Sequence, residues 1–118
     1  MITIIICNLN RVECLRRCIS SIRESTHKDY EIIVVDNGSS DGAIEYIECQ
    51  GDIKLIKNRT NLGAINARNQ GLQIARGKDY LFLDNDVILP SNFIEVSKEH
   101  MKSNPKIGIL GPVSNCVS

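Results

Sequence analysis

The chain has 118 residues, of which 42% are hydrophobic and 24% charged, so it can form one compact domain and is too apolar for a disordered chain. Lys and Arg (14) balance Asp and Glu (14), which gives no reason to expect nucleic acid or an anionic membrane as a partner. The amino terminus lacks the basic region and cleavage site of a signal peptide, and no apolar run approaches the roughly 20 residues of a spanning helix. We therefore expect a cytoplasmic protein.

Short apolar runs alternate along the chain with longer amphipathic runs. The first apolar run predicts a strand over 2–7. Asn10, with Glu13 three residues later, predicts the N-cap and capping box of a helix over 11–25. A second strand is predicted over 31–36, followed by a glycine-containing turn and a short helix.

The second half continues the same alternation. A third strand is predicted over 53–57 and a helix over 63–76, with small residues on its inner face and Gly77 as a left-handed stop. A fourth strand is predicted over 80–84. After it, Pro90 can open a helix at its first turn, and the apolar run 107–110 predicts a last strand.

Strands that are apolar throughout, with helices between them, indicate an α/β fold with a mostly parallel sheet and helices on both faces. Ligands bind to such sheets beyond the carboxyl ends of the strands. Polar side chains follow the predicted strands at these ends and in the first turns of the third helix. They are Asn8, Asn10, Asp36, Arg68, Asp84 and Asp86.

The pair Asp84 and Asp86 carries the sharpest chemical signal. Two carboxylates one residue apart at a strand end can share a hard divalent cation, and Mg²⁺ in particular binds one or two carboxylates plus substrate phosphates. A solvated turn with a helix N-cap is the better explanation of an isolated Asp-x-Asp, but the position directly after Tyr-Leu-Phe-Leu reverses that preference and favours a ligand site. Asp36 fits either a contact to a nucleobase or ribose, or a turn residue. Arg68 fits either a diphosphate contact or a surface arginine.

The five cysteines are odd in number and include no Cys-x-x-Cys pair. Cys14 and Cys18 lie four residues apart, on one face of the predicted helix, but no His or further Cys nearby completes a metal site. We interpret the cysteines as small, partly buried residues of a protein in a reducing compartment.

Four motifs in order resemble the family 2 glycosyltransferases of the GT-A fold. They are the opening strand and turn that end at Asn-Leu-Asn-Arg11, Glu31-Ile-Ile-Val-Val-Asp-Asn-Gly-Ser-Ser-Asp-Gly42, Asn61-Leu-Gly-Ala-Ile-Asn-Ala-Arg-Asn-Gln-Gly71, and Asp79-Tyr-Leu-Phe-Leu-Asp-Asn-Asp86. Two positions depart from the family pattern: Cys7 stands where proline is usual, and Asn37 stands where the family has a second aspartate.

The resemblance implies a Rossmann-like GT-A fold that binds a nucleotide-diphosphosugar with Mg²⁺ or Mn²⁺. By analogy, Asp36 contacts the base, Arg68 the nucleotide, and Asp84 the ribose or the metal, while Asp86 ligates the metal. Asn8 and Asn10 line the nucleoside pocket. The implied reaction is an inverting sugar transfer to a glycan or lipid-linked acceptor, as in cell-wall or polysaccharide synthesis, by a protein in the cytoplasm or peripheral to the inner face of the membrane.

The length of the chain opens an alternative. The family places its acceptor pocket and catalytic base on a following segment, so we expect the base beyond Ser118 and assign residues 1–118 to the nucleotide-sugar-binding part. The docking surface left exposed could support a dimer. The alternative is a non-catalytic nucleotide-sugar-binding module or an inactive fragment.

Other nucleotide-binding folds fit the sequence less well. The turn after the first strand has no glycine, so it does not match the Gly-x-Gly-x-x-Gly of a dinucleotide-binding domain or the basic, glycine-rich loop of a sugar-phosphate nucleotidyltransferase. A P-loop motif is absent from the sequence. A receiver domain would have acidic residues after the first strand and an aspartate after the third, where this chain has asparagines and Lys57.

Overall fold

The structure, a computed structural model, describes residues 1–111. Within these residues four strands alternate with four helices. The strands are β1 (Ile2–Asn8), β2 (Tyr30–Asp36), β3 (Ile53–Lys57) and β4 (Asp79–Asp84). The helices are α1 (Val12–Arg23), α2 (Ala43–Glu48), α3 (Ala64–Ile74) and α4 (Phe93–Ser103). All four strands agree with the sequence prediction to within one residue at each end.

The strands form one sheet in the order β3-β2-β1-β4, and every neighbouring pair is parallel. This confirms the predicted α/β fold class. The chain adds β2 and β3 on one side of β1 and then returns to place β4 on the other side. The order therefore reverses between β1 and β4, and a crevice beyond the carboxyl ends of these two strands is the expected ligand site of such a sheet.

Alternation along the strands builds a core on each face of the sheet. Ile4 and Ile6 pack with α1, α2 and α4 on one face, whereas Ile5 packs with Ala67 of α3 on the other. Right-handed crossovers explain this division. The connections through α1 and α2 run across the sheet from β1 toward β3, whereas the connection through α3 runs back from β3 to β4, so α3 lies on the opposite face. These three isoleucines are fully buried, and each contributes about 1.5–3 kcal/mol through burial.

The inner face of α3 is small where it crosses β1, as the sequence predicts. Ala67 and Gly71 are its buried residues. A Cβ added to Gly71 would lie 2.7 Å from Cγ2 of Ile5, well inside normal contact. The missing side chain therefore lets α3 approach the sheet closely, with its amino terminus near the carboxyl ends of the strands.

The first helix starts within one residue of the prediction, but the predicted N-cap at Asn10 is wrong. The helix begins at Val12, and the preceding Asn10 and Arg11 both have left-handed backbone angles, with φ of 56° and 59°. The Asn10 side chain does not cap the helix, because its Oδ1 accepts a hydrogen bond from the Ser40 backbone N–H (2.9 Å). Instead Asp41 Oδ2 accepts the Val12 N–H (2.8 Å), so the capping group comes from the loop after β2.

The predicted left-handed stop at Gly77 is also wrong. The third helix ends at Ile74, Ala75 is extended, and Gly77 is not among the residues with positive φ. Space explains this glycine: an added Cβ would lie 2.6 Å from both N and Oγ1 of Thr3. Gly77 is therefore the point where the chain entering β4 touches the start of β1.

The last helix and strand need correction as well. Pro90 lies before the helix, which begins at Phe93. Residues 107–110 do not form the predicted strand, and the Ile107 N–H donates to Asn104 O (3.1 Å) in a turn. No helix within residues 1–111 has the length and apolar character needed to span a bilayer.

Candidate functional site

The turn after β1 forms one wall of the candidate site. A left-handed conformation costs a residue other than glycine roughly 1–2 kcal/mol, and two such residues, Asn10 and Arg11, follow one another here. Hydrogen bonds hold them in place: Asn10 N–H donates to Ser39 Oγ (2.7 Å), and its side chain accepts from Ser40. A strained segment fixed by its surroundings in this way is typical of binding sites.

Beneath this turn, Asp36 is fully buried, with 0% exposure. Its Oδ1 accepts hydrogen bonds from Asn8 Nδ2 (2.9 Å) and Ser39 Oγ (2.6 Å). Its Oδ2 accepts from the backbone N–H groups of Gly38 (3.1 Å) and Ser39 (2.8 Å). All four hydrogen bonds come from the chain itself, so Asp36 organises the turn after β2. The contact between Asp36 and the base, which the resemblance implies, stays a prediction.

Asn8 and Asn85 extend this network to β4. Asn85 Nδ2 donates to Asn8 Oδ1 (2.9 Å) and to Asn10 O (3.2 Å). The side chains of Asp36, Asn8 and Asn85 therefore join the carboxyl ends of β2, β1 and β4. Asn8, expected to line a nucleoside pocket, is itself 2% exposed and supports the wall from below.

Asp84 and Asp86 lie above this network with exposed side chains, at 72% and 54%. Each is paired loosely with an arginine. Arg68 Nη2 lies 3.9 Å from Asp84 Oδ1, and Arg11 Nη1 lies 3.8 Å from Asp86 Oδ2. The Arg68 guanidinium also lies 5.9 Å from the centre of the Phe82 ring. Two carboxylates and two guanidinium groups thus share one rim, as the sequence predicts for Asp84, Asp86 and Arg68.

An open cavity of about 320 Å³ lies at this rim, at the point where the strand order reverses. Its lining comes from the turn after β1 and the segment after β4. The lining residues are Cys7, Leu9, Arg11, Asp84, Asn85 and Asp86.

Two cysteines beside the rim, Cys7 and Cys18, have raised pKa values. Burial raises the pKa of Cys7, and the positive charge of Arg68 only partly opposes this. Burial, followed by the charges of Asp86 and Asp84, raises the pKa of Cys18 to about 11. Because the thiolate is the nucleophilic form, a raised pKa leaves neither thiol activated as a nucleophile.

The donor set fits a hard divalent cation only in part. Asp84 and Asp86 supply carboxylate oxygens, which Mg²⁺ and Mn²⁺ prefer. No group of three His, Cys, Asp or Glu side chains in the described residues is placed to hold a metal ion. The two aspartates therefore suit an ion that takes its remaining ligands from water and from a bound phosphate.

Arg11, Ser39 and Asn85 were missed as site residues in the sequence prediction. A signal for Asn85 existed, because it follows the strand that neighbours β1, where Asn8 and Asn10 were already noted. Arg11 ends the opening motif, but its proximity to Asp86 depends on the left-handed turn, which the sequence pattern does not reveal.

Comparison with known proteins gives a family match over nearly the whole chain. The family model described as "Glycosyl transferase family 2" matches residues 3–116. An uncharacterized glycosyltransferase of Haemophilus influenzae is 33% identical over 115 residues, 94% of this chain and 36% of that protein. The cholesterol galactosyltransferase of Borreliella burgdorferi is 33% identical over 107 residues, 87% of this chain and 30% of that protein. The chain spans about a third of the length of these relatives.

Solved structures share the fold. TarS of S. aureus in complex with UDP-GlcNAc matches with a TM-score of 0.81 at 21% identity, covering 88% of this chain and 32% of that one. The mannosyltransferase of Pyrobaculum calidifontis in complex with GDP-Man and Mn²⁺ matches with a TM-score of 0.81 at 22% identity, covering 91% of this chain and 33% of that one. These neighbours confirm the GT-A type of fold expected from the resemblance.

Proposed function

Since the chain belongs to glycosyl transferase family 2, we propose that the rim beyond the carboxyl ends of the strands binds the nucleotide diphosphate of a sugar donor together with Mg²⁺ or Mn²⁺. The observation that carries this proposal is the pairing of two exposed carboxylates with two arginines around one cavity at the strand-order reversal. Carboxylates suit the cation, and guanidinium groups suit phosphate oxygens. The ligands named for the neighbouring structures, UDP-GlcNAc and GDP-Man with Mn²⁺, support the same ligand class.

In the proposed reaction an acceptor hydroxyl loses its proton to the base expected outside residues 1–118 and forms a bond to the anomeric carbon of the sugar. The bond from that carbon to the nucleoside diphosphate breaks, with inversion. A bound cation, which Asp84 and Asp86 would hold, would stabilise charge on the departing diphosphate, and Arg68 would donate hydrogen bonds to it. Asn10 shapes the nucleoside side of the pocket, while Asn8 and Asp36 keep that wall in position.

We propose that residues 1–118 form the donor-binding part of a longer glycosyltransferase domain. The catalytic base and the acceptor site, for a glycan or lipid-linked sugar, then lie outside this part, which agrees with its coverage of about a third of the relatives. Tyr80 and Phe82 on β4 and Ile74 on α3 are exposed and give an apolar surface for further packing. Cytoplasmic location, membrane association and dimer formation remain predictions.

Replacing Asp86 with alanine tests the proposed site. Titration calorimetry with UDP and with GDP, each with and without Mn²⁺, measures nucleotide binding by the full chain. We expect Asp86→Ala to lose most of the metal-dependent affinity, by tenfold or more, which corresponds to about 1.4 kcal/mol. The fold should remain intact, because the Asp86 side chain is largely exposed.

Asp79→Ala is the matched control, since Asp79 begins the strand that Asp84 ends and lies at the opposite edge of the sheet. It should bind nucleotide as the wild type does. Unchanged metal-dependent binding by Asp86→Ala would mean that Asp84-Asn85-Asp86 is only a turn. Release of nucleoside diphosphate from a donor sugar by this chain would contradict the alternative, a module that binds without turnover, whereas binding without release fits both a donor-binding part and such a module.

A further inference from the structure

Arg11 occupies a position that a ligand contact would explain. It follows β1, adopts a left-handed conformation at the N-cap of α1, and lines the cavity beside Asp86. Its side chain is 66% exposed, and its only ion pair among residues 1–111 is the 3.8 Å contact with Asp86. Because this one long ion pair is all that engages the guanidinium group, most of its five N–H donors are free.

The backbone of Arg11 is fixed from several parts of the fold. On its amino side, the Asn10 N–H donates to Ser39 Oγ, and Asn10 O accepts from the Asn85 side chain. On its carboxyl side, the Val12 N–H donates to Asp41 Oδ2. These contacts hold a costly left-handed residue in place and direct the start of its side chain toward the cavity. A surface arginine without a function would not require this support.

The pairing with Asp86 is weak and therefore exchangeable. Exposed ion pairs contribute about 0–1 kcal/mol because water screens the charges and both side chains lose freedom. A divalent cation carries twice the charge of a guanidinium group and interacts more strongly with the same carboxylate. Once Asp86 binds a cation, Arg11 loses its ion-pair partner but still lies at the mouth of the cavity.

We propose that Arg11 and the divalent cation exchange at Asp86, and that the released guanidinium group binds the diphosphate of the donor. The inference rests on the proposed function, and it deepens it by adding a phosphate-binding residue that acts only when the metal is present. A planar guanidinium group can donate two parallel hydrogen bonds to phosphate oxygens. Arg68 is placed differently, because it also lies against the Phe82 ring.

The exchange predicts effects of opposite sign in one variant. Arg11→Ala removes a competitor for Asp86, so the affinity for Mn²⁺ alone should rise about two- to fivefold. The same variant loses a phosphate contact, so the affinity for UDP or GDP in saturating Mn²⁺ should fall about tenfold. Titration calorimetry measures both quantities. Arg11→Lys should keep Mn²⁺ affinity close to the wild type and recover only part of the nucleotide affinity, because an ammonium group lacks the planar fork.

Arg17→Ala is the control for net charge, since Arg17 is an exposed residue of the same helix. Arg17→Ala removes one positive charge that does not line the cavity, so both affinities should stay unchanged. Thermal unfolding of each variant checks the fold. A local distortion would weaken both kinds of binding together and could not raise the affinity for Mn²⁺.

Two results would overturn the exchange alone: weaker binding of both Mn²⁺ and nucleotide by Arg11→Ala, or no change in either, while the wild type still binds nucleotide in a metal-dependent way. A wild-type chain that binds neither UDP nor GDP would instead overturn the proposed function, and the exchange with it. The two failures are therefore distinguishable in the same experiment.

Discussion

The two ends of the sheet use charge differently. At the amino edge, Glu31 is 12% exposed on its side chain and lies 3.0 Å from Lys54 Nζ. It also accepts hydrogen bonds from Thr3 Oγ1 (2.7 Å) and from the Arg76 backbone N–H (2.6 Å). Every partner is close and belongs to the fold, so the charge of Glu31 stabilises the join between strands.

At the carboxyl edge, by contrast, the charged groups are exposed and their partners are distant. Asp84 and Asp86 have arginines at 3.9 Å and 3.8 Å, which is near the limit of an ion pair. Only the layer beneath them, around Asp36, is closed. The difference indicates that the charged groups at the amino edge stabilise the fold. Those at the carboxyl edge lie above a rigid layer and are accessible to a ligand.

The largest stability effect is expected at that rigid base. Asp36→Ala removes the acceptor of four hydrogen bonds and leaves buried donors without partners, which should lower the free energy of unfolding by about 3–5 kcal/mol. Urea unfolding measures this loss. Asp84→Ala, at the exposed level of the same edge, should change stability by less than about 0.5 kcal/mol. If Asp36→Ala unfolds like the wild type but loses nucleotide binding, Asp36 is a ligand contact, as the resemblance implies.

A smaller loss is expected at the amino edge from Gly77→Ala. The added methyl group would meet the backbone and side chain of Thr3 at 2.6 Å, and overpacking of this kind costs about 1–3 kcal/mol. Gly51→Ala is the matched control, because a Cβ at Gly51 meets nothing within 4 Å. The melting temperatures of both variants test this. Equal values for Gly77→Ala and Gly51→Ala would show that the amino edge is not tightly closed.

The smallest effect is the pH dependence contributed by Glu31. Burial tends to raise the pKa of Glu31, but hydrogen bonds from Arg76, Thr3 and Lys54 outweigh it and lower the pKa below the ordinary 4.5. A lowered pKa in the folded state means that Glu31 stabilises the protein above the unfolded-state value, and that this contribution is lost as pH falls through the folded-state pKa.

Comparison of the wild type with Glu31→Gln isolates this contribution, which we estimate at about 1–2 kcal/mol. The difference in unfolding free energy between the two should be largest near neutral pH and should shrink below about pH 4.5. A constant difference from pH 7 to pH 3 would contradict the assignment.

The strands could be predicted from the sequence because continuous apolar runs such as Ile2 to Cys7 have the length and composition of buried strands. The proximity of Asp84, Asp86 and Arg68 at one rim could also be predicted from the sequence, because parallel strands bring their carboxyl ends together. The burial of Asp36 could not be predicted, because a short polar residue after a strand can point toward the turn or toward solvent. The predicted N-cap of α1 failed for a related reason: the group that accepts the Val12 N–H, Asp41, comes from another loop.

The two hydrogen bonds of the Asn8 side chain limit which residue can replace it in this chain. Its amide donates to Asp36 and accepts from Asn85, so one short side chain must offer a donor on one side and an acceptor on the other. Aspartate has no donor when ionised, and glutamine is one methylene longer. Replacing Asn8 with either residue should therefore break at least one of the two contacts that join β1 to β2 and β4.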